Sequence, residues 1–307
     1  MKVSDQGIAC VSASSFGQTT ELRYGCDTQG CVNTRRMTMK KLMIAASAAL
    51  CATVGLSLES ANIVGYTTLE VTKEYSILAI NFKNVNGTDS MPINSVLPYS
   101  EGMTKGNATS SADQIQVMRE DGGYNIYFMC NGSAGKATVT DGDGKWVKDG
   151  QSTVTEDTIA NGSAFWYVSK TYNANASATP YNITVAGSVE MASTSSRDIA
   201  QSYMLLANPY PCEVPLNDGV KVTSGATKGN ATSSADQIQI MREDGGYNIY
   251  FLSNGSAGKA TVTNGDGKWV KDGESAVTPD TFPANRGGWF ISKGGNATVE
   301  FTSPITK

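Results

Sequence analysis

The chain repeats itself. Lys105 to Lys170 aligns without a gap on Lys228 to Lys293, an offset of 123 positions, and from Lys105 to Thr158 only seven residues differ from their counterparts up to Thr281. Segments this alike carry the same turn residues and the same apolar pattern, so both are expected to take one fold. The match reaches back to Pro92 and Pro215; upstream, the first copy carries five extra residues before YSILAINF (Tyr75 to Phe82) meets YMLLANPY (Tyr203 to Tyr210). Each unit is a full domain, too long for a solenoid repeat.

Gly, Ser, Thr and Asn separate short runs of Val, Ile, Tyr and Phe throughout both units. That is the profile of a turn-rich β protein. The expected architecture is all-β: two tandem homologous antiparallel β-sandwich-like domains, residues 62–178 and 179–307, joined by the stretch from Thr171 to Ala178.

Within a unit, Gln114 to Arg119 and Tyr124 to Met129 flank Glu-Asp-Gly-Gly. A tight turn on Asp121 and Gly122 pairs Val117 with Ile126 and Ile115 with Phe128. This register buries Ile115, Val117, Ile126 and Phe128 and turns Gln116 and Tyr127 outward. A second hairpin is expected at Asp141 to Gly144, bringing Val139 opposite Trp146. In the aromatic strand from Phe165 to Val168, Phe165 becomes Gly288 in the second copy while Trp166 stays as Trp289. Cores tolerate loss of a ring poorly, so the tryptophan face is read as the core. Ile183 to Ala186 and Ala297 to Phe301 alternate alike and read as equivalent strands closing the copy that precedes each; the alternative, that the first opens the second domain, stays open.

An export signal precedes the repeats. From Met39, two lysines, an apolar stretch from Leu42 to Leu58 and small residues form the three-part pattern of a signal peptide over residues 39–61, with cleavage between Ser57 and Asn62. The apolar stretch is Ala-rich and shorter than the ~20 residues of a spanning helix, so no transmembrane span is expected in the mature protein. Residues 1–38 lie upstream of a complete signal and are read as no part of that protein; a twin-arginine signal around Arg35 and Arg36 is the alternative. The expected location is secreted or cell surface.

Several function classes are disfavoured. The longest basic cluster, around Arg35 to Lys41, sits where a targeting signal would use it, which argues against nucleic acid. Histidine is absent, removing the commonest general base and neutral metal ligand. No cofactor is implied. Asp141, Asp143 and Asp149 invite a calcium reading, but Lys145 and Trp146 stand where an EF-hand loop needs a ligand and a glycine, so a turn is favoured and no metal site is assigned. Nine N-x-[ST] triplets are read as turn residues.

The segments ANIVGY, LLANPYP, ADQIQIM with GGYNIYF, and AFWYVSK or GWFISK resemble an uncharacterised family of secreted β-rich repeat proteins from Verrucomicrobia and Lentisphaera-type bacteria. The likeness covers Asn62 to Lys307 and implies secretion and the unit boundary, without assigning any functional residue. The first copy departs from it in having INFKN where the second has ANPYP.

Two sets of residues remain as candidates. Tyr127 and Trp146, repeated as Tyr250 and Trp269, would stack on sugar rings if exposed, with strand packing as the competing role. Cys130 and Cys212 would form a disulfide in an oxidising compartment, or stay as two free thiols; Ser253 replaces Cys130 in the second copy, so a bond would be no part of the repeated design. The functional expectation is a non-enzymatic surface or extracellular protein, structural or adhesive, whose partners are surface glycans or further copies of itself. The alternatives are a carbohydrate-binding module and a carboxylate-based hydrolase.

Overall fold

The computed structural model describes residues 64–200 and 202–305. The upstream segment, the signal peptide and its cleavage site lie outside the described residues. The first half contains β1 (Val64–Val71), β2 (Tyr75–Ala79), β3 (Phe82–Lys83), β4 (Ser90–Pro92), β5 (Gln114–Met118), β6 (Tyr124–Ala134), β7 (Ala137–Lys148), β8 (Thr158–Ala160), β9 (Ala164–Val168) and β10 (Tyr181–Val189). The second contains β11 (Thr194–Ile199), β12 (Tyr203–Ala207), β13 (Val214–Pro215), β14 (Val220–Ser224), β15 (Gln237–Met241), β16 (Tyr247–Ala257), β17 (Ala260–Lys271), β18 (Thr281–Phe282), β19 (Gly287–Ile291) and β20 (Ala297–Thr302). The fold is all-β and antiparallel, interrupted by single helical turns at Ile93–Val96, Lys170–Ala174 and Leu216–Gly219. Among the described residues no helix is long and apolar enough to cross a membrane.

Each half stacks two sheets. In the first, a five-stranded sheet of order β2-β9-β5-β6-β7 packs on a three-stranded sheet of order β1-β10-β3; in the second, β12-β19-β15-β16-β17 packs on β11-β20-β14. Ile115, Tyr127, Met129, Trp146, Phe165 and Tyr167 meet Leu69, Val71, Ile183 and Val185 between the layers. Ile238, Tyr250, Trp269 and Phe290 meet Ile199, Val299 and Phe301 in the same way. The third strand of the small sheet differs for a backbone reason. The second half pairs Val220 to Val222 with β20, but at the corresponding place the first half has Leu97-Pro98, and proline has no N–H for the ladder. Its third strand is β3 instead, which pairs with Ser188 and Val189.

β10 and β20 are the central strands of the small sheets, so each closes the half that precedes it. The expected division at 178/179 therefore cuts through the first half, ahead of β10. The halves part between Val189 and Thr194.

The hairpin register is one residue off the expectation. Arg119 N–H donates to Gly123 O at 2.8 Å and Gly122 N–H to Arg119 O at 3.1 Å, closing a three-residue loop with Gly122 at φ +85. That is a turn finished by a glycine bulge, in place of a two-residue turn. The extra residue pairs Ile115 with Tyr127 and Gln116 with Ile126, so Tyr127 enters the core and Phe128 is buried on the opposite face. Val117 and Ile126 are half-buried. The second hairpin also turns elsewhere, at Gly135 and Lys136, where Ala134 pairs with Ala137. Asp141 at φ +52 and Gly144 at φ +70 lie within β7, in a hairpin whose register shifts between Met129 and Asn131 and again between Asn131 and Ser133, and Trp146 lies opposite Met129 rather than Val139.

The tryptophan face of the last aromatic strand is not the core of its half. Phe165 and Tyr167 are fully buried there, while Trp166 is half-buried on the other side. Loss of the ring at Gly288 is made good next door: Phe282 replaces Ile159, its ring lies 3.5 Å from where a Gly288 Cβ would be, and it stacks edge-on against Phe301 with centroids 5.5 Å apart. One aromatic ring has moved between neighbouring positions.

Candidate functional site at the seam between the halves

The four aromatics proposed to stack on sugars are core residues. Tyr127 and Tyr250 are each 2% exposed, Trp146 0% and Trp269 1%, so they present no platform. Trp146 Nε1 donates to Leu97 O at 2.6 Å and Trp269 Nε1 to Val220 O at 2.9 Å. Asn94 and Asn217, from the PIN and PLN segments, clasp these tryptophans: their Oδ1 atoms accept from Trp146 N–H at 2.7 Å and Trp269 N–H at 2.6 Å. Tyr127 donates to Asp157 at 2.6 Å and Tyr250 to Asp280 at 2.7 Å. Lys148 and Lys271 reach the same carboxylates at 3.0 and 3.4 Å. The Tyr127 hydroxyl and then Lys148 hold Asp157 below the ordinary carboxylate range. Burial opposes the same shift at Asp280, where Tyr250 and Lys271 prevail.

The deepest carboxylates are equally committed. Asp113 is fully buried and accepts from Tyr167 at 2.6 Å, Tyr181 at 2.8 Å and Lys170 N–H at 2.6 Å. Burial lifts its carboxyl above the ordinary range although these donors pull the other way. Asp236 accepts from the Thr227 and Lys293 amides, both at 2.7 Å, and burial lifts it as well.

Cys130 and Cys212 are both free thiols, so the disulfide is not formed. Cys130 does what a serine does. Its Sγ donates to Ser133 O at 3.1 Å and accepts from Gly132 N–H at 3.2 Å, as the Ser253 hydroxyl does with Ser256 O and Gly255 N–H, both at 3.0 Å. The aspartate-glycine segment holds Asp143 in an ion pair with Lys105 at 2.8 Å, repeated by Asp266 and Lys228 at 2.8 Å.

Half-open aromatics gather at a different place. The outer faces of the two large sheets meet through Ile77, Ala79, Ala164, Leu205 and Ala207, with Met118, Tyr124, Trp166, Met241, Tyr247 and Trp289 packed around them. Small residues at the centre allow close approach: a Cβ on Gly287 would lie 2.3 Å from Ala164 Cβ and 2.7 Å from Ile77 Cγ2. Trp166 and Trp289, the same position in each copy, face one another at 6.5 Å and 56°. Tyr203, 48% exposed, stands edge-on to Trp289 at 5.9 Å. Gln116 and Gln239 flank the tryptophans on neighbouring strands of the same face.

Polar links complete the seam. Ala79 N–H donates to Asn285 O at 3.1 Å, Asn285 N–H to Asn81 Oδ1 at 2.9 Å, and Lys73 Nζ to Arg242 O at 2.7 Å, while the Asn81 amide donates to Asn208 O. The sequence held one signal for this site, a tryptophan kept in both copies beside a ring that was lost. It marks a surface shared by the halves, where strand alternation had suggested an internal core. Searches of family models, of curated proteins and of solved structures returned no match to this chain.

Proposed function

We propose that the chain is an exported, non-enzymatic surface or extracellular protein with a structural or adhesive role, and that it makes its contacts through the aromatic seam. One observation carries this reading: the repeated carboxylates are spent on hydrogen bonds that hold the strands, whereas Trp166, Trp289 and Tyr203 remain half-open on a face built by both copies. Rings in that state offer apolar area and a polar edge at little conformational cost, as adhesive surfaces require. A carbohydrate-binding module is the second reading. It is favoured by Gln116 and Gln239, polar neighbours of the two tryptophans across the strand ladder, whose amides also donate to Gln114 and Gln237.

The test pairs a glycan array with sedimentation velocity on the wild type and on Tyr203→Ala and Trp166→Ala/Trp289→Ala. Concentration-dependent assembly that weakens at least tenfold in the variants supports self-association; selective glycan binding lost in them supports the module. Assembly and binding untouched by all three substitutions, with the fold intact by circular dichroism, would reject the seam as the working surface. Replacing Trp146 or Trp269 does not discriminate, because both are interior.

A further inference from the structure

Arg197 is a cation placed at the junction of the halves without a counter-charge. It lies on β11 and reaches the loop before β9, where Nη1 donates to Ser163 Oγ at 3.1 Å and to Gly162 O at 3.5 Å. Its Nε is sealed from solvent and has no hydrogen-bond partner. None of the described carboxylates forms an ion pair with it, and burial alone pulls its pKa down. A guanidinium with its Nε closed to water and unpaired is costly unless something negative meets it.

The same place has room and further polar groups. Arg197 lines a cavity of about 50 Å³ with Asn161, Ser195, Ser196 and Pro209. Asn161 Oδ1 is buried and also without a partner. Its amide can turn to present either oxygen or nitrogen to the cavity, and the hydroxyl of Ser195, on the same face of β11 as Arg197, rotates freely. The matching junction of the first half has a neutral residue in the arginine's place: β1 carries Thr67 opposite Val185 where β11 carries Arg197 opposite Val299, and Thr67 Oγ1 accepts from Asn285 Nδ2 at 2.7 Å. The cation is thus specific to one of two equivalent sites.

We propose that Arg197, Asn161 and the Ser195 hydroxyl form a binding site for one small monovalent anion, of chloride or formate size, between the halves. The anion accepts from Arg197 Nε and from the turned Asn161 amide. A single guanidinium balances one negative charge, so sulfate, a dianion, is the poorer occupant.

Thermal unfolding of the purified protein, with sodium chloride or sodium formate titrated against sodium gluconate at fixed ionic strength, tests the site. The expected result is a saturable rise in Tm of several degrees that sulfate does not reproduce. Arg197→Met should abolish the rise, while Arg119→Met, at an exposed arginine paired with Asp121, should keep it. Chloride NMR line broadening on the wild type reads occupancy directly, and Arg197→Lys should weaken it at least fivefold; both stand if Arg197→Met fails to fold. A response that is linear, shared by sulfate, or unchanged in Arg197→Met and Arg197→Lys overturns the proposal, as does an absence of broadening.

Discussion

At the scale of single residues, most of the polar chemistry in this chain serves to position strands. Asp113 receives three donors in a site closed to water, so Asp113→Ala should orphan the Lys170 amide, leave the Tyr167 and Tyr181 hydroxyls only each other and Ser169, and cost ~2–4 kcal/mol in chemical denaturation. Asp157→Ala removes a carboxylate with 43% side-chain exposure, where water can replace it, and should cost about 1 kcal/mol or less. Equal losses in the two variants would contradict this ranking. Burial also raises Tyr127, Tyr167, Tyr181 and Tyr250 above the ordinary tyrosine value of 10.0. The folded state therefore holds these protons more tightly than the unfolded chain. Their contribution is complete below that value and is lost as pH rises through the raised ones. Phenolate absorbance should climb cooperatively with the loss of near-ultraviolet circular dichroism above about pH 10. Gradual ionisation with the fold retained would be the contrary result.

Elements were readable in the sequence to the extent that alternation and turn chemistry agreed. Strand content, the closing role of Ile183 to Ala186 and Ala297 to Phe301, and the tightness of the Asp121-Gly122 turn all follow from the residues. The register did not, because Glu-Asp-Gly-Gly suits a two-residue turn and a three-residue turn with a bulge equally well, and one residue exchanges the faces of Tyr127 and Phe128. Both faces of the large sheet are buried, by the core on one side and by the Phe128 cluster and the seam on the other, so alternation carried no polar face to arbitrate. The sugar-stacking assignment of Tyr127 and Trp146 failed for that same reason. The exchange of a ring between Phe165 and Phe282 gives an element-level test. Gly288→Phe should overpack the second half by ~1–3 kcal/mol, and adding Phe282→Ile should recover the share due to the ring, leaving the contact of the new Cβ with Gln239 O. Strict additivity of the two changes would show that the rings do not share one space.

Across the whole molecule, the seam joins the halves through contacts of both kinds, apolar at Ala79, Ala164 and Ala207 and polar at Asn81, Asn208 and Asn285. Gly287 is the tightest point, and Gly287→Val should push the large sheets apart while leaving each internal core intact. Calorimetry is expected to give one transition for the wild type and two for the variant; a single transition of lowered Tm would mean that neither half stands without the other. The seam has a further property in the identity of its partners. Trp166 meets Trp289, its own counterpart, and β9 touches β12 as β19 touches β2. Such an association is isologous, the geometry of a homodimer written into one polypeptide, and it is closed: the contact surface of each copy is met by that of the other. A third unit appended to the chain would find no unmet partner for this two-fold contact, so duplication by this contact ends at two copies, and any further association has to use the ring edges that the seam leaves open.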